Sequence, residues 1–555
     1  MKKLQICFVI LILAITGTSC KNNNQHQADM IITNAKIWTG NPAQPYAEAM
    51  VVSGDTIIAV GSNRSAMKYR ADSSTILDMD GKFITPGFID SHVHFLQGGT
   101  NLASVQLRDA STPEEFIDRI KSFASGLTPG AWILGGDWDG KGWETLPEKE
   151  WIDSITPDNP VFVSRLDGHM ALANSLAMKL AGVTRGVSDV NGGTIGRNSK
   201  GDVTGIFKDN AMDLVSRVIP PETEEEVDRA LLAGTNYFAS NGVTSVHGVD
   251  AGAYADGLAR LRDSGRLMTR VYAMAPISRW KELAEKIDKE GKGDNWISIG
   301  GVKGFVDGSL GSHTAAFLEP YTDLATDSGL FVNSREDLYN WVLSSDRAGL
   351  QVSIHAIGDR AIRLLLDTYE MVEKENGDRD RRFRIEHSQH IAPSDIERYA
   401  NLNVIASMQP YHAIDDGRWA EPLIGPERVK TTYAFRTLLD TGAKLAFGSD
   451  WPVAPATPLE GIYAAVTRRT LDDKNPDGWV PEQKITVDEA LRAYTRDAAY
   501  ASFEEDIKGT LEPGKLADFV VLDHDLTTVD PVEIRNTRVL QTYVGGRKVY
   551  DAAGN

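Results

Sequence analysis

The sequence predicts an α/β protein built on a (β/α)8 TIM-like barrel, and three observations carry that prediction. Eight short apolar runs recur along the chain, near residues 87–94, 243–249, 270–275, 300–307, 351–357, 382–389, 403–409 and 444–450. Helical stretches such as 223–240, 361–375 and 393–401 separate most of them. Both ends of the chain instead carry short apolar runs broken by close turn signals. Strand-length apolar runs that alternate with helices make a parallel sheet covered on its faces, and eight repeats suit closure into a barrel.

Taken in order, the chain opens with Met1-Lys2-Lys3 and an apolar stretch over 6–15, the charged start and short hydrophobic core of an export signal, too short to span a bilayer. Thr16-Gly17-Thr18-Ser19-Cys20 resembles a bacterial lipoprotein cleavage site. Residues 1–20 are therefore expected to be a lipoprotein-type signal peptide, with Cys20 lipidated and the protein exported to the cell envelope as a membrane-anchored lipoprotein, periplasmic or surface-facing. Residues 21–29 form a polar tether, too poor in apolar side chains to fold. Residues 30–84 read as short antiparallel strands, with turns such as Ser53-Gly54-Asp55 between them, and 518–549 has the same character. The barrel is expected over 85–505. Its first two strands are too far apart for one loop, so an inserted α/β segment is expected at about 95–240, over the barrel mouth.

Composition narrows the function. Among 555 residues, 77 acidic against 58 basic side chains give a net charge of −19 at pH 7, which argues against a nucleic-acid surface or steering toward anionic lipid. The only cysteines are Cys7 and Cys20, both in the signal or at its edge. The mature domain then has no disulfide and no thiolate, so a metal site must use histidine, carboxylate and lysine. No Gly-x-Ser-x-Gly elbow follows a strand and no phosphate-binding Gly-x-x-x-x-Gly-Lys-Ser/Thr occurs, which argues against serine-hydrolase and nucleotide-driven chemistry.

The run Phe88-Ile89-Asp90-Ser91-His92-Val93-His94 is the most telling segment. A strand alternates its side chains, so His92 and His94 share a face. Later strand ends supply Lys303, His355, His387 and Asp450. Side chains at the C-terminal ends of barrel strands converge on one site. Imidazole and carboxylate donors suit Zn²⁺, with Fe²⁺, Mn²⁺ and Ni²⁺ as alternatives.

Pro86-Gly87-Phe88-Ile89-Asp90-Ser91-His92-Val93-His94, Val306-Asp307-Gly308-Ser309-Leu310-Gly311-Ser312, Ile385-Glu386-His387-Ser388-Gln389 and Gly448-Ser449-Asp450 together resemble the amidohydrolase superfamily, most closely its amidohydrolase-3 branch of metal-dependent hydrolases. The likeness runs over roughly 30–550, and 509–520 looks like the return to a small β domain. It implies that 30–84 and 506–555 build one discontinuous β-sandwich. It also implies one or two divalent ions, with His92, His94 and Asp450 on the first, His355 and His387 on the second, and a carboxylated Lys303 as bridge. One ion beside an unmodified lysine, or a purely structural lysine, are the alternatives. Metal-activated water would attack a polarised carbonyl, with Asp450 as the catalytic base and acid.

The expected substrate is a small-molecule amide with a non-peptide carbon–nitrogen bond: an N-acyl or N-formyl amine, or a cyclic amide. A deaminase or carbon–oxygen hydrolase, or a surface lipoprotein that captures a ligand with a non-catalytic site, are the competing readings. His169, Trp138 and Trp451 are expected to contact substrate, and His247 reads as a satisfied core histidine. Asp90 and Asp307 are expected to orient ligands, while His412 and His524 read as solvent-side residues. A homodimer is compatible with all of this, and no residue pattern demands it.

Overall fold

The computed structural model describes residues 27–554, apart from 139, 141–142, 166–169, 191–192, 312 and the side chains of Asp209 and Asn210. The signal-like start, with Cys20, and His169 lie outside the described residues. Eight parallel strands form the central sheet: β1 (Phe88–Val93), β2 (Val243–Gly248), β3 (Arg270–Pro276), β4 (Ile297–Phe305), β5 (Gln351–Ala356), β6 (Arg384–His387), β7 (Ile405–Met408) and β8 (Lys444–Phe447). Each pairs in parallel with the next in this series. The ring closes just past the strand ends, where Val93 bridges Trp451 and the Asp450 amide donates to the His92 carbonyl at 2.8 Å. The barrel therefore stands where the apolar runs put it.

Local chemistry explains the strand and helix limits. All six residues of β1 and of β2 are buried, as a sheet covered on both faces requires. β6 is only four residues long because His387 and Ser388 both take left-handed backbone angles, φ 73° and 46°, which end the strand. The helix Glu224–Ser240 starts in a reciprocal cap between Thr223 and Glu226. The helix Asp359–Asn376 stops at Gly377, at φ 81°. No helix among the described residues is long and apolar enough to cross a membrane.

Three further sheets surround the barrel. Between β1 and β2, a six-stranded mixed sheet runs in the order Gly193–Arg197, Val203–Asp209, Met170–Ala173, Val161–Arg165, Ile133–Trp138, Val105–Gln106. The other two draw on the ends of the chain. Phe519–Leu522 pairs antiparallel with Phe83–Pro86, so N- and C-terminal strands share one sheet. A four-stranded sheet holding Met30–Thr33 packs on it through Ile32, Met50, Val52, Ile84, Phe519 and Val521. A buried ion pair fastens this domain to the barrel: Arg270 of β3 donates to Asp518 at 2.7 and 2.9 Å. Gly87, which links Phe83–Pro86 to β1, has no room for a side chain, since a Cβ there would fall 2.1 Å from the Thr244 hydroxyl. That tight passage sets where β1, and hence its histidines, begin.

Candidate active site

The closure of the barrel builds the centre of the site. Asp90 on β1 accepts from the Ser449 amide at 2.9 Å, the Ser449 hydroxyl at 2.6 Å and the His92 amide at 3.2 Å. Gly448 allows the approach, because a Cβ there would sit 2.6 Å from the His92 nitrogen. Asp450 follows in a left-handed conformation, φ 62°, which brings its carboxylate over β1. One carboxylate oxygen is then 3.4 Å from Nε2 of His92 and 3.4 Å from Nε2 of His94.

The other strand ends converge on the same place. The His92 and His387 ring centroids are 5.0 Å apart, and those of His387 and His355 are 4.5 Å apart. Ligand atoms of His92, His387 and Asp450 all lie within 4.8 Å of one another, with all three residues buried. The far nitrogens are occupied. His92 Nδ1 meets Glu386 at 2.5 Å, His387 Nδ1 meets the Gln409 carbonyl oxygen at 2.9 Å, and His355 Nε2 meets the Gly308 carbonyl at 3.0 Å. His94 Nδ1 lies 3.8 Å from Asp250. A ring nitrogen tied behind fixes both ring orientation and tautomer, the arrangement that metal-ligating histidines adopt.

Lys303, on β4, is buried, and its ammonium nitrogen has no hydrogen-bond partner among the described residues. It lies 4.0 Å from the Phe305 ring centroid. Burial lowers its pKa toward the neutral amine, against the pull of Glu386 and Asp450. Burial also opposes charge on Asp450, yet His92 and His94 hold its pKa well below the usual carboxylate range. Burial, and then Lys303, push His355 down to about 3. Burial opposes charge on His94, but Asp250 and Asp450 outweigh it and lift that pKa to about 9.

Beneath the site lies a charged network at zero exposure. Arg384 Nε sits 2.8 Å from Glu386, and its other nitrogens reach the Ser91 carbonyl, Ser407 and Nδ1 of His247 at 2.6, 3.0 and 2.9 Å. Ser407 also donates to Glu386 at 2.6 Å. Burial works against ionisation of Glu386, but Arg384 and His92 hold its pKa well below the ordinary value. His247 is thus a core histidine bonded on one side. Asp307 accepts three backbone N–H groups, from Ala316, Ile357 and Gly358, and so ties together the segments after β4 and β5.

Two expected substrate contacts are corrected. Trp138 is fully buried in the inserted sheet, stacked on Trp143 and edge-on to Phe116, with its indole N–H donating to the Val163 carbonyl at 3.1 Å. Trp451 is 5% exposed and packs on Tyr237 and Phe238 behind the strand end. Each indole gains more from apolar packing than a wet mouth offers. His412, expected on the solvent side, is half-buried, and its ring stands parallel to that of His387. Sequence reasoning also missed Glu386, whose signal was two charges, Arg384 and Glu386, two apart in an otherwise apolar strand. It missed Phe305 too, which is 42% exposed and has its ring centroid 5.3 Å from that of His355.

Comparison with known proteins agrees with this geometry. The Amidohydrolase family profile matches residues 75–550. Protein LONG AFTER FAR-RED 3 of Arabidopsis thaliana is 42% identical over 539 residues, spanning 94% of this chain and 92% of its own length. N-substituted formamide deformylase of Arthrobacter pascens is 28% identical, over 95% of this chain and 99% of its own. Among solved structures, an uncharacterized metal-dependent hydrolase from Pyrococcus horikoshii OT3 superposes with a TM-score of 0.75 at 31% identity, covering 90% of this chain and 99% of that one.

The tie between Glu386 and His92 yields a prediction. Glu386→Gln should weaken Zn²⁺ binding by about 10–100-fold, read by competition with a chelator. Unchanged affinity would show that the buried carboxylate does not support the site.

Proposed function

Because the chain belongs to the amidohydrolase family, we propose that this hydrolase cleaves a non-peptide carbon–nitrogen bond in a small molecule, an N-acyl or N-formyl amine or a cyclic amide. The observation that carries the reading is the convergence of His92, His387 and Asp450, with the histidines' far nitrogens already engaged. The similarity to an N-substituted formamide deformylase supports the choice of bond.

The donor set fits divalent metal. His92 Nε2, 3.4 Å from Asp450, and the Lys303 nitrogen, over the Phe305 ring, are buried without hydrogen-bond partners among the described residues, a costly state that a bound ion would relieve. His92, His94 and Asp450 would hold one ion and His355 and His387 a second. Lys303 would bridge them as a carbamate, and the burial that favours its neutral amine favours the form that adds carbon dioxide. A divalent ion held there supplies Lewis acidity toward a carbonyl and lowers the pKa of water toward neutrality.

The chain supplies the rest. Asp450, kept ionised by its histidines, takes the proton of the attacking water and passes it to the leaving nitrogen. Glu386 and Gln409 hold the two buried imidazoles rigid, so little reorganisation is needed during the reaction. Phe305 gives the mouth an apolar wall beside His355, suited to a hydrocarbon substituent on the amide. The acidic balance of the chain adds no site for anionic polymers.

A panel of N-formyl and N-acyl amines, cyclic amides, esters and amino-heterocycles tests this reading. Turnover of the amides, abolished by chelator, restored by Zn²⁺ and lowered about 10²–10⁴-fold by Asp450→Asn, is expected. Turnover confined to esters or to deamination would contradict it. We also propose export and lipid anchoring through Cys20, supported by the first 20 residues of the sequence alone. Cys20→Ser should shift the protein from the membrane to the soluble fraction, and undiminished membrane association would contradict the anchor.

A further inference from the structure

One imidazole at the barrel mouth has no part in the scheme above. His412 lies on the helix Pro410–Asp416, which follows β7, a strand that contributes no expected metal ligand. Its ring is parallel to that of His387, within 5°, at a centroid distance of 6.4 Å. It stands close enough to Asp450 and to Asp416 to act on the charge of both. The helix that carries it is pinned at its far end, where Asp416 accepts from the Tyr433 hydroxyl at 2.6 Å and from Gln389 at 2.8 Å.

Nε2 of His412 is shielded from bulk water and has no hydrogen-bond partner among the described residues. Such a nitrogen is destabilising unless something outside the chain meets it. The neighbouring imidazoles are committed: His92 to Glu386, His387 to Gln409 and His355 to Gly308. Asp450, as a carboxylate, can only accept. The reaction proposed above places growing negative charge on the acyl oxygen, and a donor positioned beforehand stabilises that charge alongside a Lewis acid.

We propose that His412 is a catalytic residue that donates a hydrogen bond from its imidazole to the acyl oxygen of the substrate. The inference rests on the amide-hydrolase reading. His412 stabilises the oxygen while Asp450 manages the proton of the water and the leaving nitrogen, so the two groups divide the work.

The test uses full-length, Zn²⁺-loaded protein. His412→Phe keeps an aromatic ring over His387 and removes the donor. Metal per chain should stay at the wild-type value, kcat for an N-acyl amine should fall about 10²–10³-fold with KM little changed, and acetohydroxamate should bind at least tenfold more weakly by calorimetry. His412→Gln restores an N–H donor and should recover part of the loss, which also covers a failure of the phenylalanine variant to fold. A kcat within twofold of wild type for His412→Phe, no difference between Phe and Gln, or loss of metal in both variants would overturn the assignment. If wild-type protein turns over no N-acyl amine, the reading of the reaction falls. Calorimetry then decides on His412 alone: acetohydroxamate bound equally by both proteins, or by neither, overturns it.

Discussion

The junction of β1 with β8 is the constraint on which the site depends. A barrel can close only if its first and last strands meet, and here they meet through Asp90, which clamps Ser449, and through the Asp450 amide on the His92 carbonyl. The same contacts that shut the sheet deliver a carboxylate to two imidazoles. Fold closure and site assembly use the same contacts, and the left-handed turn at Asp450, φ 62°, falls on a residue type that tolerates such a backbone and is held by that clamp.

A second principle is the separation of charge beneath and above His92. Below, Arg384 and Glu386 form a buried pair with Ser407 in support. Above, Asp450 faces the open mouth. A buried ion pair is not a general source of stability, since desolvation offsets most of the attraction. Its value here is positional: a fixed carboxylate behind His92 leaves Nε2 as the nitrogen that faces the centre. Lys303 is the counterpart, a buried amine without a hydrogen-bond partner among the described residues, and that imbalance is what the carbamate proposal addresses.

Much of this was legible in the sequence. Strand alternation places His92 and His94 together, and the rule that barrel strands present their C-terminal ends at one face gathers Lys303, His355, His387 and Asp450. The less legible residues share a cause. Glu386 adjoins His387 in sequence but sits one residue earlier on the strand, facing the barrel interior, so its partner His92 is 294 positions away. His412 follows β7 on a short helix, and neither the turn into that helix nor its rotation can be read from local composition. Trp138 and Trp451 sit beside strand ends, where an indole can line a mouth or fill a core. Distant rings, Phe116 and Trp143 for one, Tyr237 and Phe238 for the other, decide for the core.

Metal retained per chain tests the central claim most directly. Purified protein, loaded with Zn²⁺ and then freed of loosely held ions, should keep between one and two equivalents by elemental analysis. Simultaneous replacement of His92 and His387 by alanine should abolish that retention while the fold persists by circular dichroism. Retention near zero in the unaltered chain, or equal retention in the double variant, would contradict the account.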